Sequence, residues 1–350
     1  MKDTRTPLTI LTGFLGAGKT TLLNAVLSDS DNGRVAVIVN EFGEAGLDNH
    51  LIEESTDDVV LMQSGCLCCS IRGDLSNTVE NLIRKNIRKE INFERIVIET
   101  TGIADPGPIM QTLLLDKVLA STTRLDGIVT VADAINGVAT LNTQFEAVSQ
   151  AALADLIILS KTDIASPQQI QDLKSRLEKI NPTSKIICSI KGNGIQKQIW
   201  GLNALKEKSS YKDVLTWTTG IELKLSELDN ISGLAPAKTI LKPAFSHDSK
   251  IESCSIILDN PISNSTFDNW LDTLIEAKGS DILRIKGIVF LEKIDAPFVF
   301  HGVQHVFDPP VQLKKWPGKD HQSRIVVIAR NISKPQLQRS LDMLIIQSDN

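Results

Sequence analysis

Gly13-Phe14-Leu15-Gly16-Ala17-Gly18-Lys19-Thr20 follows the apolar run Leu8 to Leu11 and leads into Leu22, Leu23, Val26 and Leu27 at helical spacing. A glycine-bounded turn ending in Gly-Lys-Thr, set between a strand and a helix, is a phosphate-binding loop in the context it requires. Its glycines let backbone N–H groups turn inward around phosphates, and the helix N-terminus adds partial positive charge. Gly13, Gly16, Ala17, Gly18, Lys19, Thr20 and Thr21 are therefore the expected nucleotide contacts. Lys19 reaches the β and γ phosphates, and the Thr20 hydroxyl binds Mg²⁺.

Outward from this loop, apolar β-branched runs recur at Val35 to Val39, Ile96 to Ile98, Ile128 to Val131, Leu156 to Leu159 and Ile186 to Ile187. Helical patterns such as Leu173, Leu177 and Ile180 lie between most of them. Continuous apolar strands alternating with helices predict an α/β fold, a P-loop NTPase whose mostly parallel sheet is covered by helices on both faces. This unit spans residues 1 to 205, and a linker spans 206 to 250. A smaller α+β C-terminal domain covers 251 to 350, with strands at Ile251 to Leu258, Ile282 to Leu291, Phe298 to His301 and Arg324 to Ala329. Its helices are expected over Phe267 to Ala277 and Lys334 to Ile345.

Two strand ends add chemistry. Glu99-Thr100-Thr101-Gly102 puts an acid where it can hold a metal-bound water or Mg²⁺, with Gly102 letting the backbone approach the phosphate and respond to its loss. Lys19, Thr20 and Glu99 are the candidate catalytic groups. Ser160-Lys161-Thr162-Asp163 resembles the guanine-specificity motif: Asp163 accepts from the guanine N–H and amino groups while the Lys161 stem covers the base. Ser160 stands where Asn or Thr is usual, so the usual amide contact is missing. Ser189, opening the stretch to Gly194, is placed to contact the guanine carbonyl through the backbone.

Cys66-Leu67-Cys68-Cys69 concentrates three of the chain's five cysteines. Three thiolates fall one short of a closed Cys₄ zinc site, and no second CxxC pair completes it. The site is expected to be open, its vacant position filled by water, a carboxylate or a partner's ligand. Glu44 is the candidate non-thiolate ligand. Soft sulfur favours Zn²⁺, with Cu(I) or Co²⁺ as alternatives. An incomplete ligand set would also let two chains share one ion in a homodimer. Buried structural thiols or a redox pair are the competing readings of the cluster, although no thioredoxin-like context surrounds it. Cys188 and Cys254 lie in apolar runs and read as buried, inert thiols.

Composition narrows the partners. A net charge of -5 over 350 residues gives no electrostatic footprint for nucleic acid or an anionic membrane. Leu8 to Leu11 is too short for a signal-peptide core or a membrane span, which with reduced thiols places the chain in the cytoplasm.

Taken in order, Thr12 to Thr21, Asn40-Glu41-Phe42-Gly43-Glu44, Gly65 to Cys69, Glu99 to Pro106 and Ser160 to Asp163 resemble the CobW-like group of P-loop GTPases, relatives of the urease and hydrogenase accessory GTPases. Phe300-His301-Gly302-Val303-Gln304 and Trp316-Pro317 through Arg324 extend the resemblance beyond the linker. The resemblance implies a GTP-hydrolysing metallochaperone that uses GTP and Mg²⁺ and passes Zn²⁺, or a related transition metal, to a client metalloprotein. A regulatory or assembly GTPase with a structural metal is the alternative, and a small-molecule kinase lacks an identifiable acceptor pocket. Histidines 50, 247, 301, 305 and 321 do not cluster, which argues against bulk metal storage. His301 and His305 read as packing or surface residues. Asn40 to Asp48 falls where switch loops lie. GTP would order these loops so that the thiolates converge, and hydrolysis would loosen them to release the ion.

Overall fold

The computed structural model describes residues 3–29, 33–40, 59–63, 71–202, 251–303, 306–307, 310–313, 316 and 321–346. β1 (Thr6–Gly13) pairs in parallel with β4 (Arg95–Thr100) on one side and β5 (Thr123–Asp133) on the other. With β2 (Val35–Asn40), β3 (Val59–Gln63), β6 (Leu156–Ser160) and β7 (Lys185–Cys188) they form a seven-stranded sheet in the order β3-β2-β4-β1-β5-β6-β7. Every pairing in it is parallel.

Alternation along these strands feeds two cores. Leu11, Val37, Val97, Val131 and Ile158 pack beneath Leu22, Leu23 and Val26 of α1 (Lys19–Leu27). Leu8, Ile10, Ile38, Ile98 and Leu159 face the other way, against α2 (Ile71–Ile87), α3 (Gly107–Leu115), α6 (Phe145–Leu153) and α7 (Pro167–Ile180). Short α4 (Lys117–Thr122) and α5 (Gly137–Thr143) complete the layer. α7 shows why this sequence is helical: a Ser166/Gln169 capping box and Pro167 start it, and Leu173, Leu177 and Ile180 are its buried stripe. Among the described residues no helix is long and apolar enough to cross a membrane.

β3 was not foreseen as a strand. It is short and follows the acidic run Glu53 to Asp58, so only pairing with β2, Val35 opposite Val59, reveals it. Cys188, expected to be buried, is exposed because β7 is the sheet's edge strand with few covering side chains. Cys254 is buried as expected, its thiol 2.9 Å from Gln338 Oε1, and burial pushes that thiol up.

The C-terminal sheet is antiparallel: β8 (Ile251–Leu258), β9 (Ile282–Val289), β10 (Phe298–Val303), β11 (Val306–Phe307) and β13 (Ser323–Arg330) in the order β11-β10-β9-β13-β8, with β12 (Val311–Gln312) on β10. α8 (Asn264–Lys278) and α9 (Lys334–Ile346) cover one face through Phe267, Trp270, Leu274, Leu337 and Leu341. On the other face Val303, Val326 and Ile328 join the core beneath the parallel sheet. His301, buried on β10, stands opposite Lys286 of β9, in keeping with a packing role.

Three buried charges cross this junction. Arg284 and Lys286, two residues apart on β9, both reach Asp155 in the turn between α6 and β6. Lys286 Nζ lies 2.9 Å from Asp155 Oδ1, and Arg284 donates to both Asp155 and the Leu153 carbonyl. The other carboxylate oxygen accepts from the Ile128 N–H at 3.0 Å, tying the cluster to β5. Burial opposes the Asp155 charge, but the two cations outweigh it and bring the carboxyl down to about 2. Burial and the neighbouring Arg284 bring Lys286 down to about 8, against the pull of Asp155.

A carboxyl lowered on folding adds stability that is complete above its ordinary value of 3.8 and disappears as pH falls towards about 2. Asp155→Asn leaves two cations buried without their counter-charge and should cost about 3–5 kcal/mol in urea unfolding near neutral pH. The same variant should flatten the acid-induced loss of stability over that window, which a pH series of unfolding midpoints measures.

Candidate functional site

Parallel pairing brings the C-terminal ends of the strands to one edge, where Gly13, Thr100, Asp133, Ser160 and Cys188 close β1, β4, β5, β6 and β7. Crevices at such an edge are where open α/β sheets bind ligands. Gly13 leaves β1 at φ +144, and a Cβ there would meet the Val131 carbonyl oxygen at 2.4 Å. Only glycine lets the chain turn so tightly against β5. The loop then closes through Ala17 N–H to Phe14 O at 3.1 Å, and Gly18 becomes the residue before α1. Gly16 and the buried Ala17 lie on the loop, and Thr21 is exposed on α1.

Lys19 folds back over the loop, donating from Nζ to the Gly13 carbonyl at 3.0 Å and the Phe14 carbonyl at 3.4 Å. Thr20 Oγ1 donates to Glu99 Oε1 at 3.0 Å, across the gap between α1 and β4. Glu99 is buried, opposite Leu11 on β1 and Val39 on β2. A hydroxyl and a carboxylate this close are hard oxygen donors, a set that fits Mg²⁺. Beneath them the Thr100 hydroxyl donates to that of Thr12 at 2.8 Å, locking β4 to β1.

Gly102 packs closely against the phosphate-binding loop itself: a Cβ at Gly102 would lie 2.6 Å from Leu15 N and 2.7 Å from Leu15 Cα. On the far side of this loop the buried Gln150 of α6 donates to the carbonyls of Gly102 at 3.2 Å and Ala104 at 3.0 Å.

On the other flank, Ser160 Oγ donates to the Ala17 carbonyl at 2.6 Å. The serine that interrupts the guanine motif thus makes its own link to the phosphate-binding loop. Lys161, held at φ +55, pairs with Asp133 Oδ2 at 2.7 Å. Burial would raise the Asp133 carboxyl, but hydrogen bonds from Lys161, Ile135 and Asn136 hold it below its ordinary value. Asp163 is exposed beyond them, and Ser189 is buried, its N–H on the Leu159 carbonyl at 2.9 Å and its own carbonyl accepting from Thr162 Oγ1 at 3.3 Å. A cavity of about 200 Å³ lies between the phosphate-binding loop, β5 and helices α5 to α7, with Lys161, Asp133 and Gln150 among its lining residues.

The structure therefore brings Lys19, Thr20, Glu99 and Gly102 together, and Lys161 with Ser189's neighbour Thr162 on the adjoining side. Glu44, Cys66, Cys68 and Cys69 lie outside the described residues. Among the described residues no three His, Cys, Asp or Glu side chains converge to hold a metal. Sequence reading missed Asp133 and Gln150. The first carried a usable signal, since it ends a buried strand as Glu99 does; Gln150, mid-helix, carried none.

Comparison with known proteins points the same way. Residues 7–188 match a family model described as CobW/HypB/UreG, nucleotide-binding domain, and residues 251–345 match the cobalamin synthesis protein cobW C-terminal domain. The chain is 31% identical to the zinc chaperone YjiA of Escherichia coli (strain K12), over 95% of its own length and 96% of the relative. It is 32% identical to the zinc-regulated GTPase metalloprotein activator 1 of Schizosaccharomyces pombe (strain 972 / ATCC 24843), over 94% of its length and 83% of that protein. The crystal structure of Zn(II)-bound YjiA GTPase from E. coli superposes with a TM-score of 0.67 at 26% identity, covering 97% of this chain and 99% of that one. A Zn(II)-bound triple mutant of YjiA, with one glutamate and two cysteines changed to alanine, matches with a TM-score of 0.68, 26% identity and the same coverage.

Gly102→Ala tests the contact between the two loops. Because the obstruction is Leu15 backbone, the loops must separate, and GTP turnover should fall about a hundredfold. Single-turnover phosphate release from purified protein measures this.

Proposed function

Because this chain belongs to the CobW/HypB/UreG family, we propose that it hydrolyses GTP and uses that cycle to carry zinc to a client metalloprotein. The observation that carries the reading is likeness along 95% of the chain to a protein named a zinc chaperone, together with a phosphate-binding loop beside the Thr20–Glu99 pair. Both parts of the relative have a counterpart here. The division into a GTPase unit at 1–205, a linker at 206–250 and a C-terminal domain at 251–350 belongs to the same proposal, as does a cytoplasmic setting.

In this reading Lys19 exchanges the Gly13 and Phe14 carbonyls for the β and γ phosphates, an exchange of neutral acceptors for charged ones that favours the bound state. Gly13, Gly16, Ala17, Gly18 and Thr21 line the phosphate path with backbone or hydroxyl groups. Thr20 and Glu99 would hold Mg²⁺, which when bound neutralises charge developing on the phosphate oxygens. Glu99 also orients the attacking water, and Gly102 carries the loop that responds to loss of the γ-phosphate. Lys161 covers the base with its stem while Asp133 steadies its head, and Asp163 accepts from the guanine N–H groups. The Ser189 N–H is taken by the Leu159 carbonyl, so the backbone contact to the ring carbonyl falls to the rest of the stretch to Gly194. Cys66, Cys68 and Cys69, with Glu44, hold the zinc cargo in an open site.

Two experiments test the separate halves. Asp163→Asn should weaken GTP binding by about 2–3 kcal/mol while improving binding of xanthosine triphosphate, whose ring carbonyl an amide N–H can meet. Equal ATP and GTP affinity in the unaltered chain would overturn the guanine assignment. Cys66→Ser combined with Cys68→Ser should lower zinc affinity at least ~100-fold with GTP binding and fold retained. Affinity, rather than zinc content, is the readout, because the YjiA triple mutant is also zinc-bound. Loss of the fold would favour a regulatory GTPase whose metal is structural.

A further inference from the structure

We propose that Gln150 is a positioning residue for GTP hydrolysis: it clamps the loop after Glu99 to α6, and the C-terminal domain in turn clamps α6. The inference rests on the GTPase reading and adds to it a residue outside the nucleotide motifs, with a link from the C-terminal sheet to the reacting end of the site.

Gln150 is 1% exposed, and its amide nitrogen gives both hydrogens to the loop, to Gly102 O at 3.2 Å and Ala104 O at 3.0 Å. That orientation is fixed by chemistry, since a flipped amide would set its oxygen against two carbonyls. The preceding residue, Ser149, adds a hydroxyl contact to Asp105 Oδ1 at 3.3 Å. Two consecutive residues of one short helix thus hold Gly102 to Asp105, a segment that begins three residues after Glu99 and touches Leu15 of the phosphate-binding loop. The loop's position between Leu15 and Gln150 sets where Glu99 and its neighbours meet the γ-phosphate.

Each carbonyl from Gln150 to Ala154, at the C-terminal end of α6, accepts a side-chain hydrogen bond. The Thr130 hydroxyl donates to the Gln150 carbonyl at 2.8 Å. Asn181 Nδ2 donates to the carbonyls of Ala151, Ala152 and Ala154 at 2.9, 3.0 and 2.9 Å. The remaining carbonyl, Leu153, accepts from Arg284 of β9, whose guanidinium also grips Asp155. About one turn of helix, from Gln150 to Leu153, therefore joins the loop at one side to the C-terminal sheet at its end.

One feature of the loop suggests a second position. Among the described residues neither the buried Thr101 hydroxyl nor Gln150 Oε1 has a hydrogen-bond partner. A buried donor and acceptor left over in adjacent elements favour any loop movement that satisfies them. A γ-phosphate arriving at Glu99 would drive such a movement, and Gln150 would pass it to α6.

The test uses the full chain with Gln150→Leu, which removes both donated hydrogens at similar volume, and Gln150→Asn, which keeps the amide but shortens its reach. Expected are a kcat for GTP reduced at least ~10-fold with KM and GDP affinity within about twofold of the unaltered chain. A folded variant with unchanged kcat, or one losing GDP affinity and kcat together, overturns the proposal. Should both variants fail to fold, amide hydrogen exchange on the unaltered chain decides. Protection at residues 101–105 and in α6 should change together between GDP and a non-hydrolysable GTP analogue, and a change confined to the loop overturns the link. An unaltered chain that binds GTP without releasing phosphate overturns the GTPase reading itself, and this inference with it.

Discussion

The nucleotide end of this protein depends on one close contact, Gly13 against the Val131 carbonyl. β1 is the central strand, hydrogen-bonded on both sides, so its chain can leave the sheet only by turning sharply over a neighbour. A side chain at Gly13 would overlap that carbonyl at 2.4 Å. With the turn in place, the loop lies across the strand ends, α1 starts at Lys19, and Thr20 comes within 3.0 Å of Glu99. Each later feature inherits its position from that exit.

Around the loop, contacts from unrelated stretches of chain hold it on two sides. Ser160 anchors it from β6 through the Ala17 carbonyl, and Gly102 abuts it from the loop after β4. The first contact is a hydrogen bond that ties the loop to β6. The second is close packing of Gly102 against both the backbone and the Cδ2 methyl of Leu15, with no side chain on the glycine to hold the two apart. The two sides of the loop therefore differ in kind: one is hydrogen-bonded, and the other is held by packing alone.

The strand periods, the phosphate-binding loop, and the helices and strands of the C-terminal sheet were legible because each rests on local pattern. Leu8 to Leu11 and Ile128 to Val131 announce buried parallel strands, and the apolar runs in β8 and β13 announce the strands of a second sheet. Failures came where the deciding neighbour is remote. Cys188 has the same apolar flank as a core residue, but β7 lies at the sheet edge, which no local pattern encodes. Ser160 read as a defect in a guanine motif, although the Ala17 carbonyl that it meets is 143 residues earlier. Nothing near Arg284 and Lys286 in the sequence marks them as interior charges, because their partner Asp155 lies 129 residues before Arg284, in the other unit.

By itself, then, the sequence determined most of the strands and helices, and it singled out the loop proposed to receive phosphates and the sulfur-rich segment proposed to hold a metal. Those properties follow from spacing, backbone freedom and ligand chemistry within a few residues of one another. Only the tertiary structure decided that Glu99 faces Thr20, that Lys161 leans on Asp133, that Gly102 touches Leu15, and that Gln150 spans from that loop to a helix gripped by the C-terminal sheet. These contacts join residues tens of positions apart, and their free energies depend on burial and on the partner, neither of which exists until the sheet has closed.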